Sequence, residues 1–419
     1  MRRLMLVLAA AASFSAAARA ADAPPVHVDS LVQEALEKNP KIAAAREKHS
    51  ALKEKIPQVG ALDDPMLSFG VVNLPNNFEF DEEDMTAKEI AISQKFPFPG
   101  KRGLSEAVAA REAEAGGFEV NDIANQVARD VKTTFYDLSH AYRATEVTLR
   151  NKALLEELSR ITQTRYALGL GMQEDIVRIQ VEISKMLDDL IMLEQQKKAL
   201  SAKLNYLLNR PRNSALGRPA DPDFRPVAFS IEDLQQRADA ENPMLKALRQ
   251  DIEARGKNIE LARRDYFPDF SLKFAYGQRD ERLDMYTGMI EVNLPIFFQS
   301  KQDRKLAEGY TEVRSAQAKF DGARNEVHYM IADTGSMAQR LERKIELYRT
   351  GIIPQARLQI DAALSAYMVN KADFMTLLDS RMRLYRYELD YHDALTDYEK
   401  SLAALQAAVG VPFSREVAR

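Results

Sequence analysis

The 419-residue chain repeats itself, and that repetition constrains its fold more than any other feature. Leu31-Val-Gln-Glu-Ala-Leu-Glu-Lys-Asn-Pro-Lys41 returns as Leu234-Gln-Gln-Arg-Ala-Asp-Ala-Glu-Asn-Pro-Met244, at an offset of 203. The same offset carries Arg46 to Arg249, Pro65 to Pro268 and Ser68 to Ser271. Further on, Phe96-Pro97-Phe98 answers Leu294-Pro295-Ile296, and Tyr166 answers Tyr367. Self-similarity at a fixed period means one supersecondary unit built twice. The first copy covers 21–209 and the second 230–413. Residues 210–229 between them hold Pro211, Pro219, Pro222 and Pro226 among scattered charges and read as a linker, and 414–419 form a tail.

Each copy reads as a short helix, a longer helix, two strands and two very long helices. Asn39 and Asn242 are good N-cap residues, followed by Pro40 and Pro243 at the position where a missing N–H costs nothing. No proline falls between Pro99 and Pro211, and only Pro354 interrupts the run from Pro295 to Pro412. Such stretches, rich in Ala, Leu, Glu, Lys, Gln and Arg, are continuous helices. Ile176, Ile179, Ile183, Met186, Leu190, Leu193, Lys197, Leu200, Leu204 and Leu207 alternate spacings of three and four, the 3.5-residue period of left-handed coiled-coil packing. The second copy keeps the register at Leu377, Leu384, Tyr391, Tyr398 and Leu405, with Ser380, Ala394, Ser401 and Ala408 interleaved. Ile352-Ile353-Pro354-Gln355-Ala356 is expected to break the second copy's helices, and its counterpart near Ala153 the first.

The strands, at about 65–73, 87–97, 268–278 and 286–297, alternate strictly. Leu67, Phe69 and Val71 stand against Ser68 and Gly70; Ile90, Ile92 and Phe96 against Glu89, Ala91, Ser93 and Lys95. The second copy sets Phe270, Leu272, Phe274 and Tyr276 against Ser271, Lys273 and Ala275, then Ile290, Val292 and Leu294 against Glu291 and Asn293. A sheet with one face on a soluble core alternates in the same way. Apolar-out and polar-in is also what a transmembrane barrel requires, and it would turn Lys95, Lys273 and Glu291 toward a lumen. Four strands cannot close, and an open edge in lipid leaves backbone groups unpaired, so closure needs several chains. Three copies give twelve strands; the sequence does not decide between three and two or four.

The start of the chain favours the barrel. Arg2 and Arg3, an apolar Leu4–Ala12 core and Ala18-Arg19-Ala20 form a secretory leader over 1–20. Its removal takes three arginines, leaving 55 basic against 62 acidic residues, or -7. No later stretch is a transmembrane helix, and the mean hydropathy of -0.36 excludes a polytopic helical protein. The acidic balance argues against a nucleic-acid partner. With no Cys, disulfides, thiolate metal sites and Cys nucleophiles are excluded. His27, His49, His140, His328 and His392 share no ligand spacing, and there is no phosphate loop, so no catalytic, cofactor or metal site is expected.

These features together resemble the TolC family of outer-membrane efflux channels: the duplicated unit, the Asn-Pro helix starts, the paired strands and Tyr166-x-x-Gly169 with Asp175 nine residues past the tyrosine. The second copy departs from the pattern at Asn370 and Thr376. Phe96-Pro-Phe-Pro-Gly-Lys-Arg102 looks like the strand-to-helix junction of heavy-metal-exporting members. The resemblance implies a mainly α fold with a small β part: coiled-coil hairpins forming a periplasmic tunnel, and four strands per chain in a homotrimeric twelve-stranded barrel in outer-membrane lipid. It implies a periplasmic adaptor, or membrane fusion protein, and an inner-membrane pump of RND type as partners, no cofactor, and efflux without catalysis. It places adaptor-docking candidates at Tyr166, Gly169, Asp175 and Tyr367. An acidic gate residue falls at Asp361, with Arg349, Gln355 and Arg357 to hold a closed tip. An acidic loop, Glu79 to Asp84, would favour cations at the mouth. A type I secretion outlet is the alternative within the class. A periplasmic coiled-coil scaffold or adaptor is the alternative outside it, and leaves the four apolar strand faces unexplained.

Overall fold

The computed structural model describes residues 25–76, 78–369 and 371–411; the leader, Asn370 and the tail, with residues 21–24, Asn77 and 412–413, lie outside them. The first copy contains α1 (Val28–Lys38), α2 (Pro40–Gly60), β1 (Met66–Val72), β2 (Ala87–Phe96), α3 (Lys101–Ala167) and α4 (Gln173–Leu207). The second contains α5 (Ile231–Glu241), α6 (Pro243–Arg264), β3 (Asp269–Gln278), β4 (Met285–Asn293), α7 (Gln302–Leu347), α8 (Ile353–Met368) and α9 (Phe374–Val409). The fourth strand ends at Asn293, two residues before Pro295, which cannot donate to a ladder.

The chain forms two compact units, and they cut across the two copies. Among the described residues, one comprises 25–43, 121–242 and 325–411; the other comprises 44–120 and 243–324.

The first unit is a helical bundle around the paired long helices. The 3.5-residue stripe of α4 is inward as its period requires: Ile179, Ile183, Met186, Leu204 and Leu207 are buried, and the remaining members half-buried. They pack with Leu155, Leu158, Leu377, Leu378 and Tyr385 in one cluster, and with Leu31, Ala35, Val131 and Phe135 in another. Lys197, the polar member, lays its ammonium over the Tyr142 ring and pairs with Glu194 at 2.8 Å. The linker is tied down here: Val26 bridges Pro219, and Val227 N–H donates to Tyr398 Oη at 3.1 Å.

Asn39 and Asn242 do the same work in both copies. Each is 4% exposed. Asn39 Nδ2 donates to Leu207 O at 2.8 Å, and Asn242 Nδ2 to Ala408 O at 2.7 Å, joining each copy's first helix pair to the end of its last helix. Asn39 Oδ1 also accepts from Lys41 N at 2.9 Å, capping α2.

The expected break at Pro354 is not a turn. The helix continues through a π segment, Tyr348–Ile352, into α8, and Ala153 lies inside α3. A wide i→i+5 turn, with Ile353 N–H on Tyr348 O, takes up the proline that would otherwise clash with the preceding turn. The chain reverses instead at 168–172 and 369–373.

The second unit holds one antiparallel sheet, ordered β1-β2-β3-β4. Gly116 and Gly117 let α2 lie close on α3, since a Cβ on Gly116 would stand 2.7 Å from Leu52 Cδ1. Lys48–Glu119 and Lys55–Glu112, each 2.9 Å, flank that contact.

Candidate channel wall, hairpin tips and gate

Register decides what each sheet face offers. Leu67 pairs Ile92 and Phe69 pairs Ile90; Ile90 pairs Tyr276, Ile92 pairs Phe274 and Phe96 pairs Phe270; Leu272 pairs Ile290 and Phe270 pairs Val292. All of these lie on one face and nearly all are strongly exposed, Phe69 at 72% and Ile290 at 70%. A single chain leaves this apolar face unpartnered, and β1 and β4 are open edges. Aromatic pairs bound it at both ends: Phe96 stacks on Phe270 at 5.5 Å, and Tyr276 meets Tyr286 at 5.6 Å. Aromatic girdles around an apolar band are the pattern of outer-membrane strands. Gln94, a polar member of this face, turns its amide to Asp63 O at 2.7 Å.

The opposite face carries all three lumen candidates. Lys95, Ser271 and Glu291 form one cross-strand row, and Ser93, Lys273 and Met289 the next. Lys273 reaches Glu89 at 3.0 Å, while Lys95 stands 4.0 Å from Asp63.

The strand-to-helix junction follows from Phe96-Pro-Phe-Pro-Gly-Lys. Gly100 takes φ +91°, which favours glycine, and α3 starts at once. Asp269 accepts from Phe98 N and from Lys101 Nζ, each at 2.8 Å.

The two reversals end the long hairpins, and the docking candidates gather there. Gly169, at φ +72°, donates its N–H to Tyr166 O at 2.9 Å and ends α3. Asp175 is a cap: its carboxylate accepts from Met172 N at 3.4 Å. The second copy reverses the roles, with Asp373 accepting from Thr376 N at 2.8 Å. The departure at Thr376 thus exchanges the two halves of one capping arrangement. Tyr166 is exposed, whereas Tyr367 is buried against Phe374 beneath the Arg165 guanidinium. Leu168, Leu170, Met172, Met368 and Val369 stand more than half exposed around both reversals.

The gate candidates lie farther along the same hairpin. Glu388 on α9 accepts from Arg150 on α3 at 2.5 Å and from Arg357 on α8 at 3.2 Å, clasping three helices. Asp361 lines the adjoining cavity of about 380 Å³ with Arg150, Arg357, Arg381 and Tyr385. Burial, with Arg150 nearby, pulls the Arg381 guanidinium below its ordinary value, against the opposing pull of Glu388 and Asp361. Arg349 pairs with Glu346 at 2.8 Å on its own helix, and Gln355 is exposed. Arg357 and Asp361 are brought together; Arg349 and Gln355 are not part of that cluster.

Residues 234–411 match the family model described as Outer membrane efflux protein. No curated protein matches the chain by sequence. Solved structures match nearly all of it. Against CusC, described as forming a transmembrane channel, the identity is 16%, 92% of each chain is covered and the TM-score is 0.78. Against the outer membrane protein VceC from Vibrio cholerae, identity is 17%, coverage 92% of this chain and 97% of that one, and TM-score 0.79. The Neisseria gonorrhoeae MtrE outer membrane channel gives 15%, 94% and 91%, and 0.73.

The second copy carries the match to the outer membrane efflux protein family, and the chain as a whole shares the fold of these solved channels. Sequence reasoning about this chain missed Glu388, Arg150, Arg381 and the apolar tips. Gly169 and Gly171, two breakers within three residues, carried the signal for the first tip, and Pro354 drew the break elsewhere.

Proposed function

We propose that three copies of this chain close one twelve-stranded barrel and act as the passive outlet of a three-part efflux system. The observation that carries this is the four-stranded sheet with one exposed apolar face and two open edges. Lipid satisfies the face, and strands of neighbouring copies satisfy the edges, at several kcal/mol for each backbone group otherwise unpaired. The exposed apolar tips suit a periplasmic adaptor, itself driven by an inner-membrane pump of RND type. Asp81, Glu83 and Asp84 in the β1–β2 loop suit cationic cargo, metal cations or small toxic compounds. Lys95, Lys273 and Glu291 line the lumen in this reading. The Arg150–Glu388–Arg357 clasp, with Asp361 beside it, holds the channel closed.

The native mass of the protein extracted from outer-membrane fractions in mild detergent tests it. Three copies are expected. A monomer or dimer recovered from the soluble periplasm would overturn the barrel and leave a coiled-coil scaffold.

A further inference from the structure

At the base of the sheet, where β4 gives way to α7, lies a cavity of about 340 Å³ that the channel reading leaves unused. Lys101, Lys301, Lys305, Asp265, Asp269 and Gln302 contribute its polar lining. The aspartates are already engaged: Asp269 with Lys101 at 2.8 Å, and Asp265 with Lys305 at 2.7 Å and Lys101 at 3.4 Å. Three lysines against two aspartates leave one positive charge, and it sits on Lys301, whose ammonium meets no carboxylate among the described residues.

Gln302 supplies a second, independent observation. It is 7% exposed, and its Oε1 finds no donor among the described residues. The amide cannot simply be reversed, because its Nε2 donates to Asp265 O at 3.3 Å and an oxygen there would face another oxygen. A buried acceptor left unmet costs free energy, so this one calls for a ligand carrying an O–H or N–H.

The flanking chain supplies the third. Leu294, Ile296 and Phe297 are 65%, 67% and 73% exposed, although the segment is braced by Ile296 N–H on Leu294 O and Asp303 N–H on Phe298 O. They continue the apolar face of the sheet at its helix end, where a lipid headgroup layer meets the barrel.

We propose that this cavity holds the headgroup of an anionic phospholipid of the phosphatidylglycerol class. Its phosphate lies against Lys301, a headgroup hydroxyl donates to Gln302 Oε1, and its acyl chains cover Leu294, Ile296 and Phe297. Phosphatidylcholine lacks the hydrogen-bond donor, and phosphatidylethanolamine has the donor without the net charge. The proposal rests on the barrel reading, since only that reading brings the cavity to the membrane.

Native mass spectrometry of the full-length channel in detergent tests it, with phosphatidylglycerol, phosphatidylethanolamine, phosphatidylcholine and inorganic phosphate added in separate arms. The wild type should retain phosphatidylglycerol above the other two lipids, and Lys301→Gln should lower that retention roughly fivefold. Gln302→Leu should abolish the preference for donor-bearing headgroups. Lys198→Gln, on exposed α4, should change nothing, and an unchanged oligomer mass shows that each variant is folded. Equal retention by wild type and Lys301→Gln, or displacement of the lipid by equimolar inorganic phosphate, would overturn the site. A chain in the outer membrane without lipid preference sinks this proposal alone; a chain absent from that membrane sinks the barrel reading with it.

Discussion

Asn39 spends one amide on two helix ends: its oxygen caps α2 and its nitrogen holds the last turn of α4. Replacing it with Ala leaves a buried carbonyl and an uncapped N–H, at about 1–3 kcal/mol. Circular dichroism should show a lowered apparent Tm, and Asn242→Ala should lower it too, since the buried bond from its Nδ2 to Ala408 O is lost. Glu388→Gln weakens a clasp whose two arginines are largely exposed, so the stability cost should be only about 1 kcal/mol. The expected result is more frequent opening in single-channel recordings and greater antibiotic leakage; unchanged recordings would remove the clasp from the gate. His392 is held below its ordinary pKa by burial and by Arg143 and His140, with Asp221 and Glu388 pulling the other way. The folded state therefore resists a proton that the unfolded chain accepts. Stability should be intact above the unfolded value of about 6.5 and fall as pH drops below it. In His392→Gln that slope should flatten.

Among the elements, the strands were the most legible from sequence, because period-two alternation has only two faces to assign. The register confirms the shared apolar face from Leu67 to Val292. Leu272→Arg places charge on that face and should cost about 2–4 kcal/mol near the membrane midplane, read as loss of folded oligomer from the outer membrane. Ser93→Gln, on the opposite face, should be recovered normally. The long helices were legible in their existence and in their buried stripe, Ile179 to Leu207. Their reversals were less so. Proline is a strong breaker only where the preceding turn cannot widen, and nothing local in Ile352-Ile353-Pro354 announces that Tyr348–Ile352 does. The clasp was half legible: Arg357 was among the residues expected to hold a tip, and Asp361 beside it was expected from the family resemblance, but Glu388 and Arg150 come from helices that meet only on folding.

For the whole molecule, the duplication predicts two hairpins of the same size, and Gln302 to Met368 does span the 67 positions of Lys101 to Ala167. Tip chemistry is where docking to the proposed adaptor should be felt: Leu170→Glu should weaken pull-down of this chain by a periplasmic adaptor without changing oligomer mass. If binding persists, the tips are not the seat.

The π segment has one more effect. With helices of equal length, one wide turn rotates every following side chain by about 100° relative to its counterpart in the first copy, at 3.6 residues per turn. In the proposed trimer six hairpin ends come together, and without that rotation they would approach sixfold equivalence. With it, and with caps that differ in sequence, Asp175 on Met172 in one copy and Asp373 on Thr376 in the other, the two ends of each chain differ in kind. Any partner built of identical subunits that touched every end of that trimer would then meet two kinds of seat, and would have to adopt two conformations or recognise only one kind.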